Sequence, residues 1–142
     1  MHVLSNPRFR LSALILWCLS WPGIALLLLT PLPFKLIART DLLGHFLLFF
    51  TMTLAIVTFA RSKGQIILLS LITIGYGVAL EFGQAYVPNR LFDIADAIAN
   101  GIGGIAGCLA ALILLEYWVK PASLSENDPS DGLKRREKGQ SL

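Results

Sequence analysis

Charged residues are scarce in this chain. Asp, Glu, Lys and Arg make up 15% of its 142 residues, against about 25% in an ordinary soluble domain. Hydrophobic residues make up 55%, and the mean hydropathy is +0.67. A surface so poor in charge is not kept in water, so lipid is the expected solvent. Cysteine is scarce as well. Cys18 and Cys108 both fall inside apolar runs, where a thiol serves as a small packing residue and a structural disulfide is not expected. Neither Cys-x-x-Cys nor a paired-His zinc spacing occurs, so no motif assigns a metal-ligating residue. A glycine-rich phosphate loop with its lysine is also missing, and nothing points to nucleic acid as a partner.

What is present is a set of helix-length apolar runs. Crossing a bilayer core takes about 20 residues of helix. Leu11 to Thr30 supplies the first span without a charge, with Pro22 beside Gly23 in its middle and Pro31 and Pro33 after it. Arg8 and Arg10 precede it as in a signal peptide. The apolar run is too long for one and no small-residue cleavage site follows, so a retained anchor is expected. A second span covers about 42–60, interrupted only by His45, and Arg61 to Gly64 form a turn. A third covers 65–83, with Glu81 near its far end. The segment 85–91 carries Pro88, Asn89 and Arg90, and a fourth span covers 93–119. The expectation is an all-α integral membrane protein with four transmembrane helices in residues 1–119. Little chain is left for a separate catalytic domain. Residues 120–142 mix Pro, Ser, Asp, Glu and Lys with almost no large apolar residue, so a disordered cytoplasmic tail is expected there.

Lys and Arg near span ends set orientation. With both chain ends inside, the cytoplasmic segments hold Arg8, Arg10, Arg61, Lys63, Lys120, Lys134, Arg135, Arg136 and Lys138, and the outer loops hold Lys35, Arg39 and Arg90. The bias favours both termini in the cytoplasm.

Ionisable residues inside spans cost roughly 2.5–3.5 kcal/mol or more at the helix centre, so their positions carry information. Asp41 and His45 are four apart on one face of the second span. Glu81 and Gln84 are three apart at the outer end of the third, and Asp93, Asp96 and Asn100 share a face of the fourth. From the helical rise, His45 and Glu81 each lie about 6 Å below the outer surface, and Asp96 and Asn100 about 5 and 10 Å below Asp93. Three helices thus place polar groups in one outer layer, within reach of Arg90. Such a layer is either a ligand site or a set of hydrogen bonds that latches the helices in register. The fourth span also carries Ala95, Ala99, Gly103, Gly107 and Ala111 at four-residue spacing. Small residues so spaced let a neighbouring helix approach closely, within the chain or in a homodimer.

At these residues the chain resembles the VanZ-like family of bacterial membrane proteins. The resemblance rests on Asp41-x-x-x-His45-Phe46, Glu81-x-x-Gln84 and Pro88-x-Arg90-x-x-Asp93-x-x-Asp96-x-x-x-Asn100-x-x-Gly103-x-x-x-Gly107, over roughly residues 39–116. Leu42 stands where the family often has Lys. The resemblance implies a multi-pass protein of the bacterial cytoplasmic (inner) membrane that faces the cell envelope. The naming member is associated with low-level resistance to the glycopeptide teicoplanin, whose target lies outside the membrane.

Three function classes follow. In the first, the chain binds an anionic or polyprenyl-linked envelope lipid or glycan without changing it. Arg90 would grip phosphate, while His45 and the carboxylates hold the pocket. In the second, the chain is an enzyme on such a lipid. His45 with Glu81 or Asp96 would be its acid–base pair, or these residues would hold a divalent cation over a phosphate. A small transporter or an assembly factor for an envelope complex is a third class. The inner half lacks the ionisable groups of a full proton path.

Overall fold

The computed structural model describes residues 6–30, 38–88 and 92–119, with the side chains of 38–41 and 118–119 outside that description. The described residues form α1 (Pro7–Leu29), α2 (Ala38–Leu54), a 3₁₀ turn (Ala55–Thr58), α3 (Lys63–Gln84) and α4 (Ile94–Val119), and contain no strand. Lipid explains the choice: with no water to bond, backbone groups must pair within the segment, as a helix pairs them.

Helices α1 and α3 each start on a side chain suited to it. Asn6 accepts from the Arg8 amide at 2.9 Å, and Pro7, which has no N–H to satisfy, takes the first helical position of α1. The helix therefore begins four residues earlier than its apolar run, and it continues through Pro22. Ser62 caps α3 by accepting from Gln65 N at 3.2 Å, while Gln65 Oε1 accepts from Arg61 N at 2.6 Å. That reciprocal pair is a close variant of the capping box.

Three helical stretches, Pro7–Leu29, Lys63–Gln84 and Ile94–Tyr117, are long and apolar enough to cross a membrane. The fourth apolar stretch, Leu42–Thr58, is shorter, reaching about 26 Å at helical rise. The expected second span thus exists as a shorter element whose last turn tightens to 3₁₀. Its end is finished from α1: the Arg10 guanidinium donates to Phe59 O at 2.6 Å and Ala60 O at 2.9 Å. A cation there meets carbonyls that have no helical partner left.

The burial pattern is that of a helix bundle in lipid. Large apolar side chains such as Leu68, Leu71, Phe82, Ile98, Ile105 and Leu109 point outward, while α3 turns Ser70, Thr73, Gly77, Glu81 and Gln84 inward. Small and polar residues inside permit close packing and interhelical hydrogen bonds, and outward Leu and Ile cost nothing against acyl chains. Ser70 and Thr73 turn their hydroxyls back onto Ile66 O and Leu69 O.

The α2–α4 seam is the tightest. A Cβ at Gly103 would collide with the carbonyl of Phe46, and one at Gly107 would lie 2.5 Å from Phe50 O. Ala99 and Ala111 continue the seam as buried residues, whereas Ala95 is exposed. The expected small-residue stripe is therefore occupied within the chain, and a second copy would need another surface. On its other side α4 meets α3, where a Cβ at Gly104 would lie 2.5 Å from Ile74 Cγ1. Helix α1 is the outlier, joined by aromatics. Trp17 Nε1 donates to Met52 O at 2.9 Å, and Tyr76 Oη donates to Trp21 O at 2.6 Å. The Trp17 and Trp21 rings meet edge to face at 5.0 Å between centroids.

Candidate functional site

The antiparallel course of α3 against α2 and α4 brings three helix ends together. His45 sits in an early turn of α2, Glu81 and Gln84 in the last turn of α3, and Asp96 and Asn100 in the first two turns of α4. At the opposite end of the bundle lie Arg10, on the carbonyls of residues 59 and 60, and the Lys63–Glu116 ion pair. Among the described side chains polar chemistry is thus divided: Arg10 and the Lys63–Glu116 pair at one end, a histidine with carboxylates and amides at the other.

The second end is dry. His45 is 2% exposed, Gln84 3%, and Glu81 and Asn100 not at all, while the Asp96 side chain keeps 14%. Asn100 organises the group. Its amide nitrogen faces Gly77 O at 3.5 Å and Glu81 Oε1 at 3.4 Å, two atoms that accept. The amide oxygen therefore faces His45 Nδ1 at 3.0 Å, which makes Nδ1 the donor. Glu81 Oε1 also lies 3.4 Å from His45 Nδ1 and accepts from Gln84 Nε2 at 3.4 Å. The second carboxylate oxygen, Glu81 Oε2, is buried with no hydrogen-bond partner. On the other edge of the imidazole, Nε2 lies 3.9 Å from Asp96 Oδ2. Each ring nitrogen of His45 thus has a carboxylate nearby, and the two carboxylates also lie close to one another.

Of the residues singled out in the sequence, His45, Glu81, Gln84, Asp96 and Asn100 meet in this cluster. Asp93 is placed differently. It is exposed and caps α4, with Oδ1 accepting from Ala95 N at 2.8 Å. Arg90 and the side chain of Asp41 lie outside the described residues. Gly103 and Gly107 lie in the α2–α4 seam that sets His45 against Asn100. Gly77 is a contributor that the sequence reading passed over. Its carbonyl accepts from Asn100, and an added Cβ would lie 2.7 Å from Phe49 Cε1 and 3.1 Å from Asn100 Cβ. Its place four residues before Glu81, on the inward face of α3, was the available signal.

Beside the cluster, on the lipid-facing side of the seam, runs an apolar groove of about 430 Å³ bordered by Leu42, Phe46, Ala95, Ala99 and Ile102. Its borders alternate with the polar residues: Phe46 follows His45, and Ala95 and Ala99 flank Asp96 and Asn100. The arrangement can bond polar groups, move a proton along the His45 ring, or offer one nitrogen and two carboxylates to a cation. One donor atom from each of His45, Glu81 and Asp96 lies within 4.8 Å of the others.

No curated protein and no solved structure matches the chain. A family model described as VanZ/LLP1 matches residues 8–115, which include α1 to α3, most of α4 and the whole polar cluster. The match covers most of the sequence and agrees with the resemblance carried by the His45, Glu81 and Asp96 motifs; the chain belongs to the VanZ/LLP1 family and is a helical membrane protein of the VanZ type.

Proposed function

We propose that this protein is a four-span protein of the bacterial cytoplasmic membrane that binds an anionic envelope lipid, or a lipid-linked glycan, at the outer leaflet. Both termini are cytoplasmic in this reading. Arg8, Arg10, Arg61 and Lys63 cluster at the end of the bundle away from His45, and the end rich in Lys and Arg stays inside. Residues 120–142, with their four further basic residues after Lys120, would form the cytoplasmic tail.

The observation that carries the reading is the pairing of the polar cluster with the apolar groove along one stretch of the α2–α4 seam. An amphiphile has the matching shape: a polar head for the helix ends and an acyl or prenyl chain for the groove. Carboxylates alone would repel an anionic head. Arg90, between Glu81 and Asp93 in sequence, supplies the opposite charge and a planar fork for phosphate oxygens.

The test is the lipid that the purified protein retains, identified by native mass spectrometry. The wild type should hold an anionic or polyprenyl-linked lipid above its share of the membrane. Ala95→Trp, at an exposed groove position, should lose that lipid while staying folded. Retained lipid of bulk composition in both proteins would refute the binding reading.

A second reading, an enzyme on such a lipid, is favoured by the placement of His45 close to two carboxylates. Proton transfer in catalysis needs such a positioned pair. His45→Gln and Glu81→Gln would then retain the lipid yet abolish its conversion, whereas a pure binder converts nothing in any variant. An assembly factor, in contrast, would copurify with a protein partner.

A further inference from the structure

We propose that His45, Glu81 and Asp96 form a binding site for one divalent transition-metal cation of the zinc or manganese class. This inference rests on the three donor groups alone and does not need the lipid reading. One donor atom from each residue falls within 4.8 Å of the other two. Metal–ligand bonds of about 2.0–2.2 Å bring such atoms to mutual distances of roughly 3–4 Å, so the required adjustment is at most about 1–2 Å. The donor set decides the class. An imidazole nitrogen favours zinc, iron, copper or nickel over calcium and magnesium, while two carboxylate oxygens draw in manganese and keep zinc.

The surroundings are those of a prepared ligand set. Asn100 holds Nδ1 of His45 in the protonated role at 3.0 Å, and its own amide is held in that orientation by Gly77 O and Glu81 Oε1. Nε2 is then the ring nitrogen with the lone pair, and it is the one on the Asp96 side, 3.9 Å from Oδ2. Two bonds of about 2.1 Å meeting at an open angle span that gap, whereas a direct hydrogen bond does not. A hydrogen bond from the far ring nitrogen to a fixed oxygen is how ligating histidines are usually aimed.

The independent pointer is Glu81. Its side chain is fully buried, and Oε2 has no hydrogen-bond partner although Oε1 faces three. A carboxylate oxygen in that position calls for a cation or a proton. Three protein ligands also leave coordination positions open, so a bound ion could take a phosphate oxygen from outside. The partly exposed Asp96 marks the side of entry.

The rival occupant is a proton on the imidazole, and the test separates the two. Tag-free full-length protein in nanodiscs is stripped with chelator, loaded with Zn²⁺ or Mn²⁺, and desalted. Bound metal is counted by elemental mass spectrometry, and Mn²⁺ binding is followed by its electron paramagnetic resonance signal. About one ion per chain is expected. Asp96→Asn and Glu81→Gln, which keep shape and remove charge, should each weaken binding about tenfold or more. Glu116→Gln, at the opposite end of the bundle, should bind as wild type does. Circular dichroism confirms that each variant is helical, and the partly exposed Asp96 makes Asp96→Asn the variant least dependent on the fold. No stoichiometric metal on the wild type, or equal binding by all the variants, overturns the proposal and leaves a proton as the occupant.

Discussion

Replacing Gly107 by Ala should unfold this protein more easily, and replacing Gly101 by Ala should not, although both lie within α4. At Gly107 the new Cβ would sit 2.5 Å from Phe50 O, 3.0 Å from Thr53 Cβ and 3.2 Å from Leu54 N. The first of these is about 0.9 Å inside ordinary van der Waals contact. Two of the three atoms are α2 backbone, which cannot rotate away as a side chain can, so the helices must part. Overpacking of this kind costs about 1–3 kcal/mol, from a total stability of about 5–15 kcal/mol in a domain. Gly103→Ala faces the Phe46 carbonyl at closer range and should cost at least as much. At Gly101 nothing lies within 4 Å of the new Cβ, so only helix propensity acts, favouring Ala by up to about 1 kcal/mol. Unfolding by sodium dodecyl sulfate in mixed micelles, read by fluorescence of the three tryptophans, should move in opposite directions for Gly107→Ala and Gly101→Ala. Gly103→Leu and Gly107→Leu, with far larger side chains, should yield little folded protein. Equal midpoints for Gly101→Ala, Gly103→Ala and Gly107→Ala would refute the close seam.

Further outcomes are expected elsewhere. A cysteine at Asn89 should react with an impermeant thiol reagent in intact cells while one at Ser62 stays unlabelled, and the reverse pattern would invert the orientation. Arg10→Gln should lower stability by about 1.5–3 kcal/mol, the worth of charged hydrogen bonds, because Phe59 O and Ala60 O lose their donor; an unchanged thermal midpoint would refute that role. Trp17→Phe keeps the ring but removes the bond to Met52 O, and should cost about 1 kcal/mol in the same assay. Arg90→Lys should leave a folded protein that retains less anionic lipid, because an ammonium cannot make two parallel hydrogen bonds to phosphate; full retention by Arg90→Lys would leave Arg90 as a charge balancer.

The helices were legible because lipid leaves the backbone one economical solution, and hydropathy finds its length. Their starts were not, since Asn6 with Pro7 and Ser62 with Gln65 act through local hydrogen bonds that apolar content ignores. The 3₁₀ turn that ends α2 was not legible for a related reason: residues 55–58 are as apolar as the helix before them. In the cluster, helical spacing placed His45, Glu81, Gln84, Asp96 and Asn100 at one level, and it also put Asp93 on their face. Asp93 precedes the first helical turn, so the periodicity that governs Asp96 and Asn100 does not reach it. Which ring nitrogen faces which partner was beyond any spacing rule, because it depends on Gly77 O across the helix interface.

A latch and a ligand site make different demands on the same residues. A latch gains most when each polar atom finds a partner, since an unpaired group in lipid forfeits what the pairing was for. The contacts around Asn100 meet that demand: its oxygen and its nitrogen both have partners, and they tie α2, α3 and α4 together. Glu81 does not fit it as well, because its Oε2 is buried without a hydrogen-bond partner. A second Gln at position 81 would bond Asn100 and Gln84 without bringing a charge into a dry interior, and an apolar residue at 96 would close the remaining opening to His45. Two carboxylates close to one imidazole, one of them with an unbonded buried oxygen, add cost to a latch that Asn100 already supplies. The buried Glu81 oxygen, which helix registration leaves unbonded, is the physical reason to look for a ligand at this end of the bundle.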